Sequence, residues 1–85
     1  MQSFTYTIQE AQGLHARPAG LLAKKAGEFQ SVCTIETQGR QAELTRIFAL
    51  MSLGVKQGSV VTVTVQGGDE DKAMEALRAF FTEHL

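Results

Sequence analysis

The 85-residue chain has no tryptophan, one tyrosine, one proline and one cysteine. Cys33 stands alone between Val32 and Ile35, so no intramolecular disulfide can form and the thiol is expected to pack as a small hydrophobe. His15 and His84 are the only histidines, and with a single cysteine no group has ligand spacing, so no metal site is expected. No apolar run approaches the roughly 18 residues of a membrane span. The amino terminus lacks a charged-then-apolar leader and starts on a strand pattern instead. A cytoplasmic protein without stable membrane association is expected. There is also no basic excess: Lys and Arg number 8 against 9 Asp and Glu, a net charge of −1. That balance argues against general nucleic-acid binding. A chain this short forms one domain over residues 1–85, burying only about 60% of its extended-chain surface. An internal cofactor cavity has no room there, so no cofactor is expected and function should lie on the surface, toward a protein partner.

What is present reads as seven elements. Phe4, Tyr6 and Ile8 alternate with Thr5, Thr7 and Gln9, the pattern of a strand covered on one face over 3–9. From Ala16 to about Phe29 the period becomes helical, with Ala19, Leu22, Ala26 and Phe29 in one stripe. Val32 to Thr37 and Arg40 to Leu44 are short extended runs around Gln38-Gly39, a hairpin turn that Gly39 can enter with positive φ. Thr45 is placed to cap a short helix over 46–53, and Gly54 to end it. Val61, Val63 and Val65 alternate with Thr62 and Thr64 in the clearest strand. Gly67-Gly68 then breaks the chain, and Asp69 or a neighbouring acid should cap a last helix with Ala73, Ala76, Leu77, Phe80 and Phe81 inward. The order is βαββαβα. Each strand shows one apolar face, so the expected fold is an α+β open-faced two-layer sandwich, a four-stranded antiparallel sheet with three helices on one face.

The chemistry concentrates at Gly13-Leu14-His15-Ala16-Arg17-Pro18-Ala19-Gly20. Pro18 marks the first helical turn, because its ring pre-sets φ and its missing N–H costs nothing there. His15 therefore stands at a helix mouth among unpaired amide donors. Imidazole, with a reference pKa near 6.5, offers a lone pair at neutral pH without a separate base. A phosphoryl group held there would carry close to two negative charges. The helix dipole would stabilise it by about 0.3–1 kcal/mol. Each charge-assisted bond from Arg17 would add roughly 1.5–3 kcal/mol. Such moderate holding suits a group that must be passed on. Gly13 allows a sharp turn before His15, and Gly20 is expected to leave the first turns bare for a visiting surface.

On these residues the chain resembles the HPr family, the histidine-containing phosphocarriers of the bacterial phosphoenolpyruvate-dependent sugar phosphotransferase system. Gly13 to Ala19 looks like the family's active-site motif, and Met51-Ser52-Leu53-Gly54-Val55 like its second characteristic segment. The likeness spans the full 85 residues, including the Gly67-Gly68 break. It implies that His15 is phosphorylated on Nδ1 by enzyme I, which draws the group from phosphoenolpyruvate. His15 would pass it to a sugar-specific enzyme IIA, with Arg17 steadying it.

The short helix carries Ile47, Phe48, Leu50, Met51 and Leu53, more apolar surface than one face of two turns can hide. Leu50 and Leu53 form the natural core pair, leaving Ile47, Phe48 and Met51 as an outward patch. Arg17 and Lys24, seven apart on the first helix, join Arg46 as a positive rim, so acidic and apolar partners are expected. The resemblance implies that this helix, Ser52 included, helps to bind enzyme I and enzyme IIA. Many HPr proteins of low-GC Gram-positive bacteria carry a kinase-targeted serine where this chain has Arg46. Arginine cannot accept phosphate, so that control is expected to be absent, and its charge beside a helix amino terminus costs roughly a few tenths of a kcal/mol.

Two other readings are weaker. The element order also describes RNA-recognition domains, but Arg40 to Leu44 has no aromatic residue to stack a base. A regulatory HPr homologue without transfer activity would have no need of His15, Arg17 and Pro18 together. So small and balanced a chain is expected to be a monomer.

Overall fold

Strand β4 (Val60–Gln66) is built around Val61, Val63 and Val65, which are buried, while Thr62 and Thr64 alternate onto the other face. The computed structural model describes residues 1–85. Around β4 lie β1 (Gln2–Thr7), β2 (Val32–Thr37) and β3 (Arg40–Glu43), in one sheet of order β1-β4-β2-β3. All three pairings are antiparallel, and Val63 stands opposite Phe4 on one side and Ile35 on the other. That register puts Phe4, Ile35 and the three valines into one buried row, as period-2 patterning requires.

Helices α1 (Ala16–Ala26), α2 (Ile47–Ser52) and α3 (Glu70–His84) cover that face. The result is the open-faced α+β sandwich in the order βαββαβα. Ala19, Leu22 and Ala26 from α1, Leu50 from α2 and Ala73, Leu77, Phe80 and Phe81 from α3 join the strand residues in one core. Phe81 packs edge-on against both Phe4 and Tyr6, each at 5.6 Å between centroids. Aromatic pairs prefer this geometry because ring edges are positive and ring faces negative. The β2–β3 turn has Gln38 at φ 51° and Gly39 at φ 77°, the left-handed pair of a type I′ hairpin. Cys33 is free and buried, and desolvation raises its thiol pKa above the ordinary value, with the Asp69 charge adding to the effect. No helix is long and apolar enough to cross a membrane.

Several boundaries differ from the sequence reading. β1 stops at Thr7, yet Ile8 remains buried because its backbone pairs with the next loop, Ile8 N–H to Ser59 O at 2.9 Å and Gly58 N–H to Ile8 O at 2.8 Å. α1 ends at Ala26, leaving Phe29 half-buried in the turns beyond. β3 ends at Glu43, and Leu44 is buried in the following turn. Thr45 is not the cap of α2: it is exposed in that turn, and Arg46 holds the N-cap position without any side-chain bond to the helix. Met74 takes a buried place on α3, whereas Ala76 is only half-buried.

Asp69 does stand at the N-cap position of α3, but its carboxylate makes no capping bond. It accepts instead from Gln30 N–H and Ser31 N–H, both at 2.9 Å, and from the Ser31 hydroxyl. Glu70 turns back to the helix entrance, accepting from Gly67 N–H and from the terminal amine of Met1, each at 3.1 Å. Both carboxyls are consequently held below the usual range, Asp69 chiefly by Ser31 and Glu70 chiefly by Gly67.

Candidate functional site

Gly13 sets the geometry. Its φ is +66°, and a Cβ there would lie 2.3 Å from the Val55 carbonyl oxygen and 2.7 Å from Lys56 Cα, so only glycine fits. Leu14, buried, donates its N–H to the same Val55 oxygen at 3.2 Å. These contacts fix the backbone immediately before His15, whose own φ and ψ of −91° and −176° are extended, as an N-cap residue's should be.

The His15 side chain makes no capping bond and its ring is half-buried. Its carbonyl accepts the first helical bond, from Ala19 N–H at 2.9 Å. The amides of Ala16 and Arg17 find no intramolecular partner, and Pro18 has no N–H to satisfy. No acidic residue in the first turn neutralises this positive end. Arg17 is exposed and free of ion pairs, so its guanidinium can turn onto a group carried by the ring.

A depression of ≈ 360 Å³ is lined by Glu10, Gln12, His15, Arg17, Pro18, Leu21 and His84. The sequence reading identified His15, Arg17 and Pro18 and missed the other four. Leu21 had a signal: it falls off the Ala19–Leu22–Ala26 stripe and is 41% exposed. Glu10, Gln12 and His84 had none. They meet there because Gln9 N–H and Glu10 N–H both bind the Leu85 main-chain oxygen, at 2.5 and 2.8 Å, which draws the end of α3 to the loop after β1.

On α2, Phe48 is 80% exposed and Met51 41% exposed, while Leu50 and Leu53 are buried. Ile47 is half-buried against the core. Gly20 is half-buried, and a Cβ there would come to 3.4 Å from Ile47 Cδ1, so it lies where α1 meets α2. Lys24 and Arg46 are exposed and unpaired. Ser52 is exposed, but its hydroxyl donates to Phe48 O at 2.8 Å, and its carbonyl accepts from Arg40 Nη2 at 2.8 Å.

A surface imidazole with free amides and a guanidinium around it, on an open-faced sandwich, defines a phosphoryl-carrying class of protein. Comparison with known proteins agrees. Residues 2–83 match the family described as the PTS HPr component phosphorylation site. The chain is 42% identical over 83 residues to the phosphocarrier protein HPr of Lysinibacillus sphaericus, covering 98% of this chain and 94% of that one. A histidine-containing phosphocarrier protein structure from Mycoplasma superposes with a TM-score of 0.93 at 35% identity, over 96% of this chain and 93% of that one. The Bacillus subtilis catabolite repression protein Crh, solved as a swapped dimer, gives 0.78 at 36% identity over 100% and 98% of the two chains. This chain belongs to the HPr family, phosphocarriers of the phosphotransferase system.

Proposed function

We propose that His15 accepts a phosphoryl group on Nδ1 from phosphorylated enzyme I and yields it to a sugar-specific enzyme IIA. The observation that carries this is the accessible, unengaged His15 ring beside the free amides of Ala16 and Arg17. In the forward step the Nδ1 lone pair attacks phosphorus, the N–P bond forms, and the donor leaves with the electrons of its own bond to phosphorus. The ring proton stays on Nε2. The new dianion meets the two amides, which the helix start already holds in place, and the Arg17 guanidinium, which turns onto it. Phe48, Met51 and the exposed edge of Ile47 dock the partner, rimmed by Arg17, Lys24 and Arg46, with Gly20 setting the helix spacing and Ser52 closing the last turn of α2. Partners with acidic and apolar surroundings fit this face. The protein acts as a single copy in the cytoplasm, over one domain spanning residues 1–85, without metal, cofactor or nucleic acid. Serine control is absent, because Arg46 occupies its position.

Incubation with phosphoenolpyruvate and purified enzyme I should place one acid-labile phosphoryl group on His15, and His15→Ala should remove it. Failure of His15 to be labelled would overturn the reading. It would favour a regulatory role without transfer, a possibility kept open by the likeness to Crh. Treatment with ATP and an HPr serine kinase should leave Thr45 and Ser52 unmodified.

A further inference from the structure

The depression before His15 holds a second imidazole, which the proposed transfer has not used. His84 lies at the end of α3 and lines the same ≈ 360 Å³ space as His15 and Arg17. Its position is built. The Leu85 main-chain oxygen is bound by Gln9 and Glu10 N–H, Leu85 is buried, and the His84 ring lies on Phe80 with centroids 4.5 Å apart. His84 therefore borders the site from a helix end held by main-chain bonds, with its ring resting on Phe80.

We propose that His84, in its protonated form, donates a hydrogen bond to the phosphoryl group on His15 and thereby makes the holding of that group depend on pH. This rests on the assignment of His15 as the phosphoryl acceptor. Arg17 is a cation at every relevant pH, whereas an imidazole with a reference pKa near 6.5 gains or loses its charge across the working range. The two negative charges added at His15 act on whatever titrates in the same small space.

The charges around His84 come from each element packed against it. Glu10 faces it from the loop after β1, and Arg17 from the start of α1. Lys24, Lys25 and Glu28 line the neighbouring depression that His84 shares, with Lys25 and Glu28 paired at 3.4 Å. On its own helix, Glu83 Oε1 is 3.9 Å from Nε2. The fixed groups of both signs are the same before and after phosphorylation. Phosphorylation adds a group on the His15 ring whose own second ionisation lies at about pH 6, and its negative charge raises the affinity of His84 for a proton. By reciprocity, a proton on His84 raises the affinity of the site for the phosphoryl group.

The test is the titration of the His84 ring, followed by NMR, in the unmodified protein and in protein phosphorylated at His15. Two charges added in the depression that His84 also lines should raise the pH at which its ring titrates by about one unit. Phosphorylated protein with an unchanged His84 titration would sink this inference and leave the relay intact; failure to phosphorylate His15 would sink both. A second measurement guards against a structural role. In His84→Gln, which alters an exposed side chain, the equilibrium with the phosphoryl donor should lose up to about tenfold in the carrier's favour below the titration. Above the titration it should match the parent protein. A loss equal at all pH values would mean that the ring only shapes the pocket.

Discussion

The Val55 carbonyl oxygen stands where the Cβ of any residue replacing Gly13 would have to go, at a separation of 2.3 Å. The loop after α2 thus clamps the segment that presents His15, and the end of α2 is tied to His15 through backbone contacts. Gly13→Ala should cost at least about 1–2 kcal/mol for its left-handed φ alone, with a further cost for moving the loop. Denaturant unfolding should show the lost stability. Transfer from enzyme I should fall further than the folded fraction explains, since His15 is displaced too.

Arg17→Ala should leave thermal stability within about 0.5 kcal/mol of the parent, because the side chain is exposed and unpaired. Losing one charge-assisted bond of roughly 1.5–3 kcal/mol should slow phosphoryl transfer about 10- to 150-fold. Lysine at this position should recover only part of the rate, since an ammonium lacks the planar fork of donors. Single-turnover transfer with phosphorylated enzyme I measures both variants.

Phe48→Ala removes a ring that is already 80% exposed, so the fold should barely register it. If Phe48 anchors a partner, its truncation should weaken binding by at least about 1–2 kcal/mol, seen by calorimetry with enzyme I or enzyme IIA. Equal affinity for parent and variant would remove Phe48 from the docking surface.

Acid stability should be governed in part by Asp69 and Glu70. Their folded pKa values lie below the unfolded ones, so their contribution is fully present above about pH 4–4.5. It is lost as pH falls through the lower folded values, where the native carboxylates finally take up protons. Melting temperatures from pH 5 to pH 2 should therefore decline, and Asp69→Asn should flatten the decline while lowering the plateau. An unaltered slope in that variant would mean that the contact with Ser31 contributes nothing to folding.

The sheet and its apolar face were legible because Val61, Val63 and Val65 admit one register only: a slip by one residue would turn all three to solvent. The hairpin was equally plain, since Gly39 tolerates the φ of 77° that its turn needs. Caps were not. Threonine and aspartate are good caps in isolation, but Asp69 is drawn to Ser31, which the fold brings alongside, and the N-cap of α2 is Arg46, one residue beyond the expected cap, because Thr45 lies in the preceding turn. His15 and Arg17 could be found from a local motif. Glu10 and His84 could not, because only the folding of β1 and α3 side by side makes them neighbours. That Ile47 lies beside Gly20 had no local signal either, because only the packing of α1 on α2 brings them together.

The half-clothed sheet has a kinetic consequence. With all three helices on one side, α1 and α2 meet where Gly20 lies against Ile47, and the proposed acceptor and docking patch both belong to this helical layer. Under the proposed transfer, a giver and a taker of phosphate that both read this layer would exclude each other, so every cycle would require a complete departure before the next arrival. Throughput is then capped by how fast each complex falls apart, and selection for ever tighter docking would slow the traffic it was meant to secure.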